Sequence, residues 1–417
     1  MAYTPNTLAM RAQGFVEGGF NVWEYTSTDL LATILGSGYF TDGSSKGMLV
    51  GDIVWVVNQT AITAIKCQCS ASTVTTTGGL TQHVGSSTIV QADLNLANGP
   101  RNLLDGGDAT TNPWQRGTTF SNIVATSTYT ADRWFMVAGA ATSASMTQTS
   151  DTGVPTFADA FVWGRASGAS SVSAIVLGQV LETLDSIRVQ NAPLSLSFFA
   201  KSMSGYTGGA LGIRVGQGTG TNQSASSFVN TSWTGYSDVI STTQVLTATY
   251  QRFAYIGTVA SNATQLGVSF QFTPVGTNTG NDAVSMIGIK LEQGGVSPFE
   301  HRDVQVELEL CQRYFFQVNE TSTAIIATGA IEAANAATFI VSLPVQMRIA
   351  PTVTVTAGSF AQQVSGATAA VSGFAAGATH TPNFITVVST ATATAGLAAL
   401  LVSRQTNSGT IAISADL

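Results

Sequence analysis

Charge is scarce in this chain. Asp, Glu, Lys and Arg make up 9% of the 417 residues, and only four positions are lysine (Lys46, Lys66, Lys201 and Lys290). Residues 320–417 carry five charges, at Glu320, Glu332, Arg348, Arg404 and Asp416. A free monomer normally stays in solution behind a dense coat of mixed charge. The composition therefore predicts surface hidden in an oligomer, or a place on a larger particle that does the solubilising. The net charge of −7 and pI near 4.9 leave no basic stripe to displace counterions from phosphates, which excludes a nucleic-acid partner.

Cysteine is scarce too. Three residues (Cys67, Cys69 and Cys311) make no disulfide framework, and Cys67 and Cys69, two apart on one strand face, sit too close for an easy bridge. The chain reads as one made in a reducing cytoplasm. The first residues, MAYTPNTLAMRAQGFVEGG, hold no apolar signal-peptide core. The most apolar stretch, residues 386–403, is interrupted by Thr, Ser and Gly396, so no membrane insertion is expected. His83, His301 and His380 lie far apart and in no ligand-spacing pattern, so neither a metal nor another cofactor is expected. GQGTGTNQS (216–224) lacks the GK[ST] of a phosphate loop and reads as a hairpin loop with no following helix to hold an anion. Asp105 lies near Asp108, and Glu182 near Asp185. Acids this close in sequence arise freely in loops, and there is no nucleophile elbow, so the chain is expected not to be an enzyme.

What is abundant is apolar and small. Hydrophobic residues make up 44%, with 42 glycines, and the mean hydropathy is +0.24. β-Branched residues diluted by turn formers predict many short strands. Residues 1–77 read as a small α+β or mostly β module, with Leu30, Leu31, Ile34 and Leu35 at helical spacing behind Ser27 or Thr28 as N-cap. Ile53, Trp55 and Val57 alternate on a strand. Residues 78–100 are a Gly/Ser/Asn-rich linker.

Residues 101–317 have the texture of a jelly-roll β-sandwich. Three runs each place their apolar residues on one face: Leu194, Leu196 and Phe198; Leu211, Ile213 and Val215; and Leu266, Val268, Phe270 and Phe272. Ile287, Ile289 and Leu291 make a last strand. In the following DVQVELELCQRYFF, Val304, Leu308, Cys311 and Phe315 form a helical stripe, while Val304, Val306, Leu308 and Leu310 equally fit a strand; the helix is favoured. Residues 318–417 read as a smaller C-terminal β-domain. The fold class is mainly β throughout. Trp233 and Tyr236, with Asn230 in the turn-rich NTSWTGYSD (230–238), read as a loop that shows its rings to a ligand, while Trp114 and Trp134 read as core.

Seven motifs occur in order: NLLDGGDATTNPWQRGTTF (102–120), YTADRW (129–134), GQVLE (178–182), SFFAKS (197–202), TYQRFAY (249–255), IGIKLEQGGVSPFEHR (287–302) and ELCQRYFF (309–316). Together they resemble the carbohydrate-binding-type sandwich of bacteriophage tail-fibre and virion structural proteins. PVQMRIAPTVTVT (344–356) through ISADL (413–417) resembles the small domain that often follows it, and residues 25–57 more weakly resemble N-terminal modules of phage head-fibre proteins. The resemblance implies a virion surface fibre or spike, made in the host bacterial cytoplasm and assembled as a homotrimer. It would be anchored to capsid or tail proteins through residues 1–77 and bind host cell-surface polysaccharide through its outer domains. A capsid decoration protein is the alternative, and a polysaccharide depolymerase a further one. In this reading NPWQRG closes the sandwich structurally: Trp114 covers one end with Trp134, and Arg116 or Arg133 pairs with Glu292 or Glu300 to lock the first motif to the last.

Overall fold

The computed structural model describes residues 8–12, 21–29, 31–34, 39–40, 44–48, 52–58, 65–71, 80–82, 102–124, 127–139, 143–170, 172–278, 280–318, 325–333, 336–355, 360–364, 367–370, 373–390, 395–403 and 410–417. It divides into two compact units, Met1–Gly99 and Pro100–Leu417. Among the described residues no helix is long and apolar enough to cross a membrane.

The first unit is one sheet in the order β1-β2-β3-β4-β5: Leu8–Ala12, Val22–Ser27, Ile53–Asn58, Ile65–Ala71 and Leu80–Gln82. β2 and β3 pair in parallel, which requires a crossover, and the short helix α1 (Leu31–Ile34) lies in that connection. Of the expected helical run the described residues show Leu31–Ile34, with Ile34 buried; Leu30 and Leu35 lie outside the described residues. The N-cap expectation at Ser27 or Thr28 becomes a tighter turn in which Ser27 Oγ accepts the Asp29 N–H at 3.0 Å. Val54 and Val56 are buried, with Ile53 and Trp55 on the half-covered side. A buried Asp52 beside the strand accepts from Asn21 N at 2.9 Å and Trp23 Nε1 at 2.7 Å. The backbone of Cys67 and Cys69 pairs with Val56 and Val54; their side chains and His83 lie outside the described residues.

The second unit opens with the sandwich. Its strands are β6 (Thr119–Ile123), β7 (Thr128–Tyr129), β8 (Phe135–Ala138), β9 (Ala144–Ser150), β10 (Asp159–Arg165), β11 (Ile175–Val180), β12 (Pro193–Ser202), β13 (Ala210–Gly218), β14 (Ser237–Val245), β15 (Gln251–Thr258), β16 (Gln265–Phe272) and β17 (Ala283–Gln293). They form two six-stranded sheets, β15-β12-β17-β10-β9-β6 and β14-β13-β16-β11-β8-β7. Between them lies a core that includes Trp134, Trp163, Phe161, Phe198, Phe270 and Phe272. The three alternating runs point inward as their period requires.

β17 departs from simple alternation. Ser197 pairs with Lys290 and Phe199 with Ile287, so two residues of β17, Gly288 and Ile289, oppose the single Phe198 of β12. The extra residue is Gly288, at φ +60°, a β-bulge that inverts the side-chain parity. Ile289 and Leu291 enter the inter-sheet core, whereas Ile287 turns to the outer face with Phe157 and Phe299. A Cβ at position 288 would lie 2.7 Å from the Phe157 ring.

Three short helices follow strands of this unit: α2 (Thr183–Ser186), α3 (Ala225–Val229) and α4 (Val304–Gln312). α3 corrects the reading of 216–224, because the loop does lead into a helix, one whose first turn is capped by its own Ser224. α4 is the helix expected, but its buried stripe is rotated. Glu307 and Cys311 face inward, with Tyr314 just beyond, while Val304 is 61% exposed. A carboxylate on the inner face is paid for by the hydrogen bonds it receives from Arg302 and the Gly106 N–H.

The remaining strands are β18 (Phe315–Val318), β19 (Ile325–Ala333), β20 (Ala336–Ser342), β21 (Thr352–Val355), β22 (Phe360–Val364), β23 (Ala367–Ala370), β24 (Gly373–Thr381), β25 (Phe384–Thr390), β26 (Ala398–Ser403) and β27 (Ile411–Ser414). They form a β18-β27-β21 sheet and a β23-β22-β26-β19-β20-β25-β24 sheet around their own core, which includes Phe339, Ile385, Val387 and Leu401.

Candidate functional site

The NPWQRG segment is packed into the end of the sandwich. Trp114, at φ 49°, lays its ring 5.5 Å from Phe161 and donates Nε1 to Ala109 O at 2.9 Å. Trp134 donates Nε1 to Gly106 O at 2.7 Å. Arg133 stacks on Tyr314 at 3.3 Å and reaches Asp105 at 3.3 Å. Arg116 pairs with Asp132 and Asp416 and lies 3.6 Å over the Phe315 ring. The predicted partners are therefore corrected. Glu292 pairs instead with Lys290 at 3.1 Å and accepts from Ser297 N at 2.7 Å, both side chains of the ion pair being 1% exposed. The first and last motifs are joined by other residues: Asn102 bonds Ile289 O and the Leu291 N–H, and Arg302 spans Asp105 and Glu307. What Arg116 locks to the sandwich is the C-terminal domain.

Burial pushes the Asp132 carboxyl up to about 6, with Arg116 pulling against it. The folded chain thus holds a proton that the unfolded chain releases near pH ~4. Stability from this group is fully present below about pH 4 and is lost as pH rises to about 6, in total on the order of 2–3 kcal/mol. Thermal melts of the wild type and Asp132→Asn from pH 4 to 7 should show a steeper decline in the wild type. Parallel curves would contradict the assignment.

The residues singled out for ligand binding do not form an open platform. Trp233 is 3% exposed, with its ring 4.7 Å from Phe228 and Nε1 donating to Ser224 O at 3.1 Å. The reading of Trp233 as a displayed ring is corrected, because α3 carries Phe228 beneath it. Asn230 is exposed and only caps α3. Tyr236 is half-buried and donates to Asp238 at 2.6 Å; burial raises its hydroxyl above the usual range. The α3 segment lies on the outer face of the second sheet, where Gly216 and Gly267 make room for Phe228; a Cβ at either would come within 2.8–3.0 Å of its ring.

Beyond that cover the same face stays open. A groove of about 330 Å³ runs over β13, β14 and β16. Register builds it in two rows: Arg214 pairs with Ser241 on one side and Ser269 on the other, and Gly212 with Thr243 and Gln271. Gly212 leaves the floor low. Arg214 is 35% exposed and is braced by Asp238 at 3.4 Å. The one ring in the lining, Phe272, is buried in the core. The groove offers hydroxyls, an amide and a guanidinium along an extended strip, a surface suited to a polyhydroxylated chain.

A second cleft, about 420 Å³, lies beside α4 and brings Asp105 together with Glu182 and Asp185, which are far from it in sequence. Its acids are engaged. Asp105 pairs with Arg133 and Arg302, and both oxygens of Glu182 accept from Arg313 at 2.9 and 3.1 Å. Burial opposes the charge of Glu182, but the Arg313 bonds outweigh it and hold the carboxyl below its usual range, whereas burial and Asp105 push Asp185 up. This is a braced junction between sandwich and helix. His301 has a similar role: it contacts Asp108 at 2.8 Å and Thr156 at 3.2 Å with its ring 4.7 Å from Phe157, tying three loops. Among the described residues no group of three or more His, Cys, Asp or Glu is placed to hold a metal.

No protein-family model and no curated protein matches the chain. Among solved structures it is similar to the enzymatically active domain of tailspike protein 4 of bacteriophage CBA120 (12% identity, covering 46% of this chain and 21% of that one, TM-score 0.28). It is also similar to the CBM22-1 xylan-binding domain of Paenibacillus barcinonensis Xyn10C (13% identity, 43% and 95% coverage, TM-score 0.26). A Stig cyclase of Fischerella sp. TAU matches at 9% identity, 47% and 99% coverage and TM-score 0.29.

Proposed function

We propose that this protein binds surface glycans through the groove over β13, β14 and β16 and performs no chemistry on them. The observation that carries the reading is the two-row polar strip: Arg214, Ser241, Thr243 and Gln271 meet on an open sheet face around Gly212, with the buried Ser269 beside Arg214. The ordered sequence motifs extend the reading to a phage virion fibre or spike on the particle surface, anchored through residues 1–77 and assembled as a homotrimer. The sparse charge of residues 320–417, with Ile325 and Ile340 exposed at 63% and 56%, supports an assembly that covers apolar surface. Several copies turn weak sites into avidity.

The test is binding of the purified full chain to host cells before and after their surface polysaccharide is stripped. Binding should be saturable and disappear on stripping. The Ser241→Ala/Gln271→Ala double variant should bind about tenfold more weakly, having lost two net hydrogen bonds of about 1 kcal/mol or less each, with an unchanged melt. Asn230→Ala should bind as the wild type does. Failure of a folded oligomer to bind would leave a purely structural decoration role.

A further inference from the structure

We infer that the groove selects acidic glycans, with Arg214 recognising a sugar carboxylate. The inference rests on the groove being the glycan site and adds its ligand class. Arg214 is the one ionisable side chain among the groove's lining residues, and no carboxylate lines the groove. Its position is fixed by more than strand pairing. Asp238, which also receives the Tyr236 hydroxyl at 2.6 Å, holds the guanidinium Nε from one side at 3.4 Å. A third of the Arg214 side chain remains exposed between Ser241 and Ser269. A planar guanidinium held at one edge can present its other edge to a carboxylate in a paired geometry that neutral hydroxyls do not match.

Two further features favour an anion. Neutral sugars are commonly held by stacking on aromatic planes, and this groove has no open ring, since Phe272 is buried and Trp233 is covered. Neutral hydrogen bonds exchanged against water are individually weak, so a charge-assisted contact is the strongest this lining can make. The chain also carries a net charge of −7, which disfavours polyanions over most of its surface. A polyanion that binds must do so where a cation is presented, and the residue that presents it here is Arg214. Asp238 offsets part of that charge, so the attraction is local and short-ranged.

The experiment measures binding of the full chain to polygalacturonate and alginate oligosaccharides, each beside its carboxyl-reduced neutral counterpart. The acidic forms should bind at least tenfold more tightly. Arg214→Gln should abolish that preference with an unchanged melt, and Arg214→Lys should keep part of it. Salt raised from 50 to 500 mM should shrink the preference, as screening requires. Equal binding of acidic and reduced forms would overturn the inference while leaving the groove as the glycan site. An acid preference that survives Arg214→Gln would overturn the role of Arg214. Binding to neither form, with binding to neutral xylan or β-glucan lost in Ser241→Ala/Gln271→Ala, would also reject the acidic class. If no polysaccharide binds at all, the groove reading falls and takes this inference with it.

Discussion

Arg165→Ala lowers the melting temperature of residues 100–417 by roughly 4–8 °C, the shift a loss of about 3–5 kcal/mol gives in a unit of this size. Arg165 ends β10 and meets Asp282 at 2.6 Å, with both side chains fully buried. Asp282 also accepts the Thr207 N–H and Oγ–H at 2.9 Å each, and Arg165 donates to the carbonyls of Val275 and Gly276. Removing the guanidinium strands a carboxylate where no water reaches it and leaves two loop carbonyls short of a donor. Adding Asp282→Asn should recover part of the loss, since the charge that made the single change costly is then gone. A melt within about 1 °C of wild type would mean the pair is not the anchor of the 275–282 loop.

Trp134→Ala has an effect of similar size by a different route. Its side chain is fully buried between the sheets, 6.0 Å from the Phe161 ring, and its Nε1 holds Gly106 O. Truncation loses the transfer free energy of the indole and leaves a cavity, together about 3–5 kcal/mol. Trp134→Phe should cost less, since it fills most of the space and Gly106 O still accepts from Asn112 Nδ2 at 3.2 Å. Urea unfolding should show the midpoint fall with an unchanged slope. A normal midpoint for Trp134→Ala would place this ring outside the load-carrying core.

The sandwich was legible because its strands obey a period of two. Leu266, Val268, Phe270 and Phe272 could be set inward from sequence alone, as the structure has them. β17 was legible as a strand, but its facing was not, since one glycine in the left-handed region reversed it and nothing in IGIKLE marks which residue is extra. Glu307 was unreadable as a core residue because the Gly106 N–H it accepts comes from a segment about two hundred positions away, although its other partner, Arg302, just precedes the helix. A carboxylate breaking a helical apolar stripe was the available signal. Trp233 misled for a related reason. Its loop composition spoke of exposure, while the five-residue helix that supplies Phe228 left too short a pattern to notice.

The groove was the least legible feature of all. Arg214, Ser241, Ser269 and Gln271 lie on three strands whose pairing decides their adjacency, and each alone is an ordinary outward-facing strand residue. The Gly212 gap acquires meaning only beside them.

A glycan held by this groove should be visible there. The most direct measurement is a crystal structure of the full chain with an oligosaccharide that it binds in solution. Sugar should lie along Gly212, Ser241 and Gln271, with Arg214 in contact. Sugar in the Asp105–Glu182–Asp185 cleft, or on the 219–236 loop with the groove empty, would contradict that placement.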